Sequence, residues 1–246
     1  MNISLFQLTN LILITFLVFL VIRFLWMVLF HSANQPVAWK EAWSKKQLPG
    51  MLVRKERFYH DKVRFFTWWL QAERLKRENI SGAYAELGVY KGDSARLIHL
   101  MDPTRKFYLF DTFEGFPEED LYGETGKAST YTAQSFANTS ISQVVKRIKG
   151  NHLIEIVPGY FPDSAQGMTN EVFALVNIDA DLYKPTKAGL EFFYPRMSRG
   201  GVILVHDYNP KWPGVIRATD EFLLAVTETP ILIPDRDGTL IIVKSV

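Results

Sequence analysis

The stretch that decides the fold is AELGVYKGDSARLI, Ala85 to Ile98, which joins a short apolar strand candidate to a helix through a turn with two glycines. Gly88 and Gly92 allow the backbone to bend and to approach a bound molecule closely. The helix N-terminus that follows can receive an anion, and Ser94 could add a hydroxyl donor. The spacing matches neither the dinucleotide fingerprint G-x-G-x-x-G nor a P-loop. Taken alone, the stretch is explained equally well as a plain tight turn.

Outward from that turn, strand candidates alternate with helix candidates, which predicts an α/β fold with a mostly parallel, doubly wound sheet. The closing runs ILIP and TLIIV flank DRDG, which predicts a hairpin with one antiparallel strand. A long polar segment without periodicity, Glu118–Asn138, is typical of a lid or of a disordered loop. The strand candidates are Ala83–Leu87, Phe107–Phe110, Leu153–Val157, Val172–Ile178 and Val202–His206, and the helix candidates are Asp93–Met101, Ser140–Lys149, Pro185–Met197 and Val215–Val226.

The N-terminus of this 246-residue chain differs from the rest, because Leu11–Phe30 is apolar and holds one charge, Arg23. That run can cross a hydrocarbon core of about 30 Å. A secretory signal fits less well, since no basic residue precedes the run and no A-x-A-like site follows it. We interpret residues 1–30 as a transmembrane anchor, residues 31–57 as a basic juxtamembrane linker marked by Pro36 and Pro49, and residues 58–246 as the folded domain. A helix is predicted over Glu56–Asn79.

Basic residues follow the anchor and do not precede it, so the positive-inside rule predicts a single-pass membrane protein with a cytoplasmic domain. The formal net charge of +2 gives no reason to expect a nucleic-acid partner. The chain has no cysteine, which excludes disulfides, thiolate metal sites and cysteine nucleophiles.

Acidic residues follow several strand candidates. Asp111 comes directly after the second strand, where doubly wound nucleotide folds place an acid that binds ribose hydroxyls. A helix-capping Asp is the alternative, but together with the glycine turn Asp111 favours a nucleoside cofactor.

VNIDADLYKP, residues 176–185, and GGVILVHDYNP, residues 200–210, bring Asp179, Asp181, His206 and Asp207 to the carboxyl edge of the sheet. If the chain stays extended, the side chains of Asp179 and Asp181 point the same way. Clustered carboxylates repel unless a positive charge lies among them, and Mg²⁺ or another divalent cation is the simple candidate. The alternatives are separate turn residues, or a D-x-D that holds a nucleotide-sugar in a membrane-anchored glycosyltransferase.

In combination, AELGVYKGDSARLI, FDTFEGFP, VNIDADLYKPTKAGLEFFYPRMSRGGVILVHDY and WPGVIRATDEFL resemble the macrocin O-methyltransferase (TylF-type) family, over roughly Ser81 to Leu223. These enzymes methylate sugar hydroxyls with S-adenosylmethionine. The resemblance implies a Rossmann-like class I methyltransferase fold in residues 58–246, with seven strands and helices on both faces. It implies Asp181 as general base and a metal at Asp179, His206 and Asp207, although the family commonly has Asp-Asp where this chain has His206-Asp207. The implied cofactor residues are Glu86, Gly88, Tyr90, Gly92, Ser94, Asp111 and Thr112.

The resulting hypothesis is an S-adenosylmethionine- and Mg²⁺-dependent O-methyltransferase that acts on a sugar hydroxyl. The anchor adds the expectation of a membrane-associated acceptor, such as a glycolipid or polysaccharide, beside the alternative of a sugar-containing small molecule. Assembly into a homo-oligomer is left open. The rival hypotheses are the glycosyltransferase and a non-catalytic, methyltransferase-like membrane scaffold.

Overall fold

The computed structural model describes residues 4–30 and 35–245, so residues 1–3 of the predicted anchor, residues 31–34 of the predicted linker and Val246 lie outside the described residues. The chain divides into two compact units, Met1–His60 and Asp61–Val246.

Within its described residues, 4–30 and 35–60, the first unit holds three helices: α1, Leu5–Phe30; α2, Val37–Ser44; and α3, Gly50–Phe58. The side chains of Leu5–Trp26 are exposed, and this helix is long and apolar enough to cross a membrane, by length and composition. The linker predicted over residues 31–57 contains α2 and all of α3 except its last residue, Phe58. Pro36 and Pro49 stand at the N-caps of these helices rather than marking irregular chain, because a proline with its fixed φ is well tolerated where a helix starts.

The second unit is built on a seven-stranded sheet with the order β3-β2-β1-β4-β5-β7-β6. Neighbours among the first five strands are parallel, whereas β7 runs antiparallel to both β5 and β6. The α/β fold, the mostly parallel sheet and the closing hairpin are therefore confirmed. The strands are β1 (Ala83–Leu87), β2 (Phe107–Asp111), β3 (Ile154–Pro158), β4 (Phe173–Ile178), β5 (Met197–Val205), β6 (Ile231–Ile233) and β7 (Thr239–Val243).

The helices of this unit are α4 (Lys62–Arg77), α5 (Asp93–Met101), α6 (Glu118–Leu121), α7 (Ile141–Ile148), α8 (Tyr183–Phe193) and α9 (Pro213–Leu223). The prediction of one helix over Glu56–Asn79 is wrong, because α3 ends at Phe58 and α4 begins at Lys62. Asp61 makes the break: its side chain caps α4 by accepting from the backbone N–H of Arg64 at 2.9 Å. Met197, expected to end a helix, instead begins β5.

The central strands β1 and β4 are buried along their whole length, as expected for parallel strands with both faces covered. Two of their buried residues, Glu86 and Asn177, are polar. The chain passes from β1 to β2 on one side of β1 and returns to β4 on the other side. In open α/β sheets ligands bind at such a switch point, outside the carboxyl ends of the strands.

Candidate active site

A cavity of about 410 Å³ lies at the carboxyl edge of the sheet, next to the ends of β1, β2, β4 and β5. Of the described residues, Glu86 and Gly92 are the two predicted site residues that are not part of its lining. The predicted residues that do line it are Gly88, Tyr90, Ser94, Asp111, Thr112, Asp179, Asp181, His206 and Asp207.

One side of the cavity is the glycine turn, residues 88–94. Gly88 has φ +87°, and a Cβ placed there would lie 1.9 Å from the carbonyl oxygen of Asp179. Gly88 is therefore required by the close approach of β4, in addition to any ligand. Gly92, at φ +76°, is the N-cap of α5, and its Cβ would meet Val144 of α7 at 3.1 Å. The close approach at Gly92 is thus between helices.

Asp111 holds the glycine turn in shape. Its Oδ2 accepts from the backbone N–H groups of Val89 and Tyr90, both at 2.7 Å, and its Oδ1 accepts from Phe113 N–H at 2.7 Å. Two carboxylate oxygens offer about four acceptor positions, so the carboxylate has room for a further donor such as a ribose hydroxyl. The ribose contact stays a prediction, and the observed role of Asp111 is to join the loops after β1 and β2.

Glu86 is fully buried in β1. Its Oε1 accepts from Asn177 Nδ2 at 2.8 Å, and Asn177 Oδ1 accepts from Trp68 Nε1 at 3.2 Å. Burial raises the pKa of Glu86 to about 8, so the carboxyl is largely protonated at neutral pH. Glu86 thus joins β1 to β4 through Asn177, and a direct contact with the cofactor stays a prediction.

The other side of the cavity is the acidic cluster, which we define as Asp179, Asp181, His206 and Asp207. Asp181 has φ +62° and Asp207 has φ +60°, a left-handed conformation that is uncommon outside glycine. The chain does not stay extended over Asp179 and Asp181, because β4 ends at Ile178 and the backbone turns at Asp181. Strained backbone of this kind is concentrated at functional sites.

Arg64, in the first turn of α4, is the residue of this site that sequence analysis missed. Its Nη2 donates to Asp179 Oδ2 at 2.7 Å, and its Nη1 lies 2.8 Å from His206 Nε2. The buried guanidinium stacks over the ring of Trp68, with Cζ 4.6 Å from the ring centroid. One signal was available: Arg64 and Trp68 are four residues apart and so share a helix face, which puts a charge on the apolar side of α4.

The contacts of His206 define its tautomer. An arginine side chain only donates hydrogen bonds, so Nε2 of His206 must be the acceptor. The proton is then on Nδ1, which lies 3.2 Å from Thr239 Oγ1. Burial, together with the positive charge of Arg64, lowers the pKa of His206 below its ordinary value, so the imidazole is neutral at pH 7.

The three carboxyl groups of the acidic cluster have different protonation. Although burial opposes ionisation of Asp179, the adjacent His206 and the ion pair with Arg64 together hold its pKa below the ordinary value. Burial and the charge of Asp179 raise the pKa of Asp181 to about 7. Burial and both neighbouring acids raise the pKa of Asp207 to about 10, and Asp207 shares a hydrogen bond with Asp181. At neutral pH the carboxyl group of Asp207 is therefore protonated, and it can donate a hydrogen bond to Asp181.

The spacing of Asp179, His206 and Asp207 would suit a metal ion, since their ligand atoms all lie within 4.8 Å of one another. However, several of those ligand atoms already form hydrogen bonds and are not available to a metal ion. Nε2 of His206 accepts from Arg64, Nδ1 of His206 is bonded to Thr239, and Asp179 Oδ2 is bonded to Arg64. As folded, the residues do not fit Mg²⁺, which prefers ionised oxygen ligands. The positive charge that the clustered acids require is supplied by Arg64.

Aromatic side chains form a wall of the cavity. Tyr131 stacks on Phe116, with ring centroids 5.6 Å apart, and its hydroxyl lies 3.3 Å from Trp212 Nε1. Tyr131 and Phe136 come from the segment Glu118–Asn138, so this segment contributes to the site. Tyr160 and Phe161 also line the cavity.

Comparison with known proteins gives consistent results. The profile of the family described as macrocin-O-methyltransferase (TylF) matches residues 62–239. Demethyldecarbamoylnovobiocin O-methyltransferase of Streptomyces niveus is 29% identical, over 65% of this chain and 65% of that protein. A tetracenomycin-C 4'-O-methyltransferase of Streptomyces olivaceus, whose substrate carries a dimethoxy-rhamnosyl group by name, is 26% identical, over 55% of this chain and 56% of that protein.

Among solved structures, the O-methyltransferase NovP superposes with a TM-score of 0.66 at 24% identity, over 75% of this chain and 81% of that chain, which supports the fold. The match spans 56% to 65% of the length of these two curated relatives.

Proposed function

The chain belongs to the macrocin O-methyltransferase family, and on that premise we propose that it transfers a methyl group from S-adenosylmethionine to a sugar hydroxyl. One observation carries the proposal: the glycine turn and Asp111 border the same cavity as Asp181 and Asp207. A cofactor held over the turn would therefore present its methyl group to an acceptor beside the acidic cluster.

The cofactor supplies the electrophile, so the protein has to position two molecules and remove a proton. When bound, S-adenosylmethionine would supply the methyl group to the acceptor oxygen as its carbon–sulfur bond breaks, with S-adenosylhomocysteine as the leaving group. The hydroxyl proton passes to Asp181. A base works best when its pKa is near the operating pH, and burial gives Asp181 a pKa of about 7. This proton transfer needs no metal ion, and two of the three expected metal ligands are engaged by Arg64.

The acceptor side of the cavity suits a sugar. Aromatic faces at Phe116, Tyr131 and Tyr160 can pack against the apolar face of a sugar ring, while carboxyl groups receive its hydroxyls. One relative is named as an O-methyltransferase of a substrate that carries a rhamnosyl group, which supports this class of acceptor. The acceptor is a sugar-containing small molecule or a lipid-linked glycan.

The apolar helix α1 favours the second of these acceptors. An exposed apolar helix of this length is stable in lipid, so we propose a single-pass membrane protein with its catalytic domain in the cytoplasm. Tethering beside a glycolipid would raise the local concentration of the acceptor. Removing residues 1–30 should reduce methylation of a lipid-linked acceptor more than that of its soluble fragment. Equal losses would remove the argument for a membrane acceptor.

The proposed function is tested by thermal-shift titration of the protein with S-adenosylmethionine and with UDP-sugars, followed by transfer of a labelled methyl group into a membrane glycolipid extract. Stabilisation by S-adenosylmethionine and a labelled glycolipid are the expected results. Stabilisation by UDP-sugars alone would support the glycosyltransferase with its D-x-D at Asp179 and Asp181. If neither ligand binds, the non-catalytic scaffold is favoured. Assembly into a homo-oligomer stays a prediction.

A further inference from the structure

We propose that Arg64 takes the place of a divalent cation in the acidic cluster, so that this chain transfers its methyl group without a metal ion. The catalytic consequence, methyl transfer without a metal ion, rests on the proposed function. The structural part, that Arg64 occupies the place of the ion, does not depend on it.

Both ring nitrogens of His206 are already engaged in hydrogen bonds. A neutral imidazole has one ring nitrogen that can accept, and in His206 this is Nε2. That nitrogen lies 2.8 Å from Arg64 Nη1, while the other ring nitrogen is bonded to Thr239. Coordination of a metal by His206 would require the guanidinium to withdraw or the ring to reverse its hydrogen bonds. His206 is therefore an acceptor for Arg64.

The charges of Arg64 and Asp179 also compensate each other. Asp179 and Arg64 form a partly buried ion pair at 2.7 Å, with side-chain exposures of 22% and 10%. A buried charge is stable only when it is paired, and here each of these two groups is the partner of the other. A divalent ion bound to Asp179 and His206 would lie against the guanidinium and be repelled by it. Histidine at position 206 supplies an acceptor for Arg64 without adding negative charge.

Arg64 is held in position before any ligand arrives. Asp61 caps α4 at the backbone N–H of Arg64, and its Oδ2 also accepts from Arg236 N–H at 2.8 Å. This ties the first turn of α4 to the loop that precedes Thr239. Trp68 stacks under the guanidinium from one turn further along the helix. An arginine kept only for surface charge would have none of these supports.

Arg64 is in this view a positioning residue. It binds Oδ2 of Asp179 and so fixes the orientation of that carboxylate, two residues from the base Asp181. A planar guanidinium can hold a carboxylate and an imidazole at once through parallel N–H groups, which the point charge of a lysine cannot do.

The experiment uses the full chain and reads metal binding separately from catalysis. Metal content is measured by mass spectrometry after purification without chelator, and Mn²⁺ binding is measured by electron paramagnetic resonance. Methyl transfer from S-adenosylmethionine is then assayed with EDTA and with added Mg²⁺. We expect no stoichiometric metal, no Mn²⁺ bound by the cluster, and a rate that neither addition changes. One tightly bound ion per chain, or activity lost to EDTA and regained with Mg²⁺, would overturn the proposal.

Variants test which residues exclude the ion. The double variant Arg64→Gln with His206→Asp removes the guanidinium and adds a carboxylate, and should bind Mn²⁺ about tenfold or more tightly than the wild type. Arg64→Lys keeps a positive charge and should stay without Mn²⁺. Arg74→Gln is the matched control, because Arg74 lies on the same helix but donates to Gly200 at 2.8 Å. A folded double variant that gains no Mn²⁺ would contradict the assignment to Arg64 and His206.

The two proposals fail in different ways. If no acceptor is methylated and S-adenosylmethionine does not bind, the proposed function fails, while the Mn²⁺ measurements still decide the role of Arg64. If methyl transfer is found but depends on Mg²⁺, the function stands and the replacement of the metal by Arg64 is rejected.

Discussion

The glycine turn and the acidic cluster face each other across one cavity, but they are held by different interactions. The turn is shaped by backbone groups: two N–H groups of the turn bond to Asp111, and Gly88 packs on the carbonyl of Asp179. The acidic cluster is shaped by side chains from elements far apart in the chain, since Arg64 of α4 bonds to residues that follow β4 and β5.

This difference has a physical consequence. A backbone-built turn tolerates changes of side chain but not of backbone geometry, whereas a buried side-chain network is sensitive to the loss of any charge. Changes in the cluster should therefore affect chemistry first, and changes in the turn should affect folding and cofactor binding first.

The largest effect is expected in the acidic cluster. Asp181→Asn keeps the shape of the side chain but removes the base, so kcat should fall by about 10²- to 10⁴-fold. Binding of S-adenosylmethionine, measured by calorimetry, should stay near that of the wild type. Asp163→Asn, an exposed carboxylate outside the cavity lining as described, is the control. Near-normal turnover in Asp181→Asn would reject the base.

In the glycine turn, Gly88→Ala should act on folding. The added Cβ would lie 1.9 Å from the carbonyl oxygen of Asp179, so we expect the free energy of unfolding to drop by about 3 kcal/mol in urea titrations. Gly123→Ala is the matched control, because Gly123 also has a positive φ, +80°, but its Cβ would meet no described atom within 4 Å. If both variants lose the same stability, strain in φ and not contact with β4 explains the need for glycine.

The raised pKa of Glu86 leads us to expect that the stability of the fold depends on pH. Burial raises its folded-state pKa to about 8, so its contribution to stability is complete below the unfolded-state pKa. That contribution is lost as the pH rises through about 8, at on the order of 1 kcal/mol per pH unit. Glu86→Gln should flatten the fall of Tm between pH 5 and pH 9, whereas exposed Glu191→Gln should not. A Glu86→Gln profile parallel to that of the wild type would contradict this assignment.

The smallest effect concerns the segment Glu118–Asn138, which contacts both regions. Tyr90 of the glycine turn donates to Asn138 at 2.7 Å, and Glu124 accepts from Tyr183 N–H, just beyond the acidic cluster, at 2.6 Å. If the segment is a lid, its amide hydrogen exchange should slow when S-adenosylmethionine and an acceptor bind. Exchange in α9 serves as the reference. Unchanged exchange in the segment would leave it as a static wall.

Much of the fold could be predicted from the sequence, because local patterns carry it. The apolar runs of β1, β2, β4 and β5 and the alternation with helices predict a parallel sheet, and parallel strands bring their carboxyl ends to one edge. The residues that follow those strands, Asp111, Asp179 and His206 among them, therefore had to meet there. The errors lie where a local signal has two meanings. Pro36 and Pro49 start helices as readily as they interrupt them, and Asp61 divides a continuous helical pattern by capping.

The amino-acid pattern was sufficient to predict the fold class, the edge of the sheet that forms the site, and the need for a positive charge among the clustered acids. These follow from periodicity, strand direction and Coulomb repulsion, which depend on neighbours in the chain. Only the tertiary structure decided where that charge comes from. Arg64 is 115 residues from Asp179 and 142 from His206, and no rule of spacing joins them. They meet because α4 brings Arg64 to the ends of β4 and β5, where a buried guanidinium is stable only when its charge is paired.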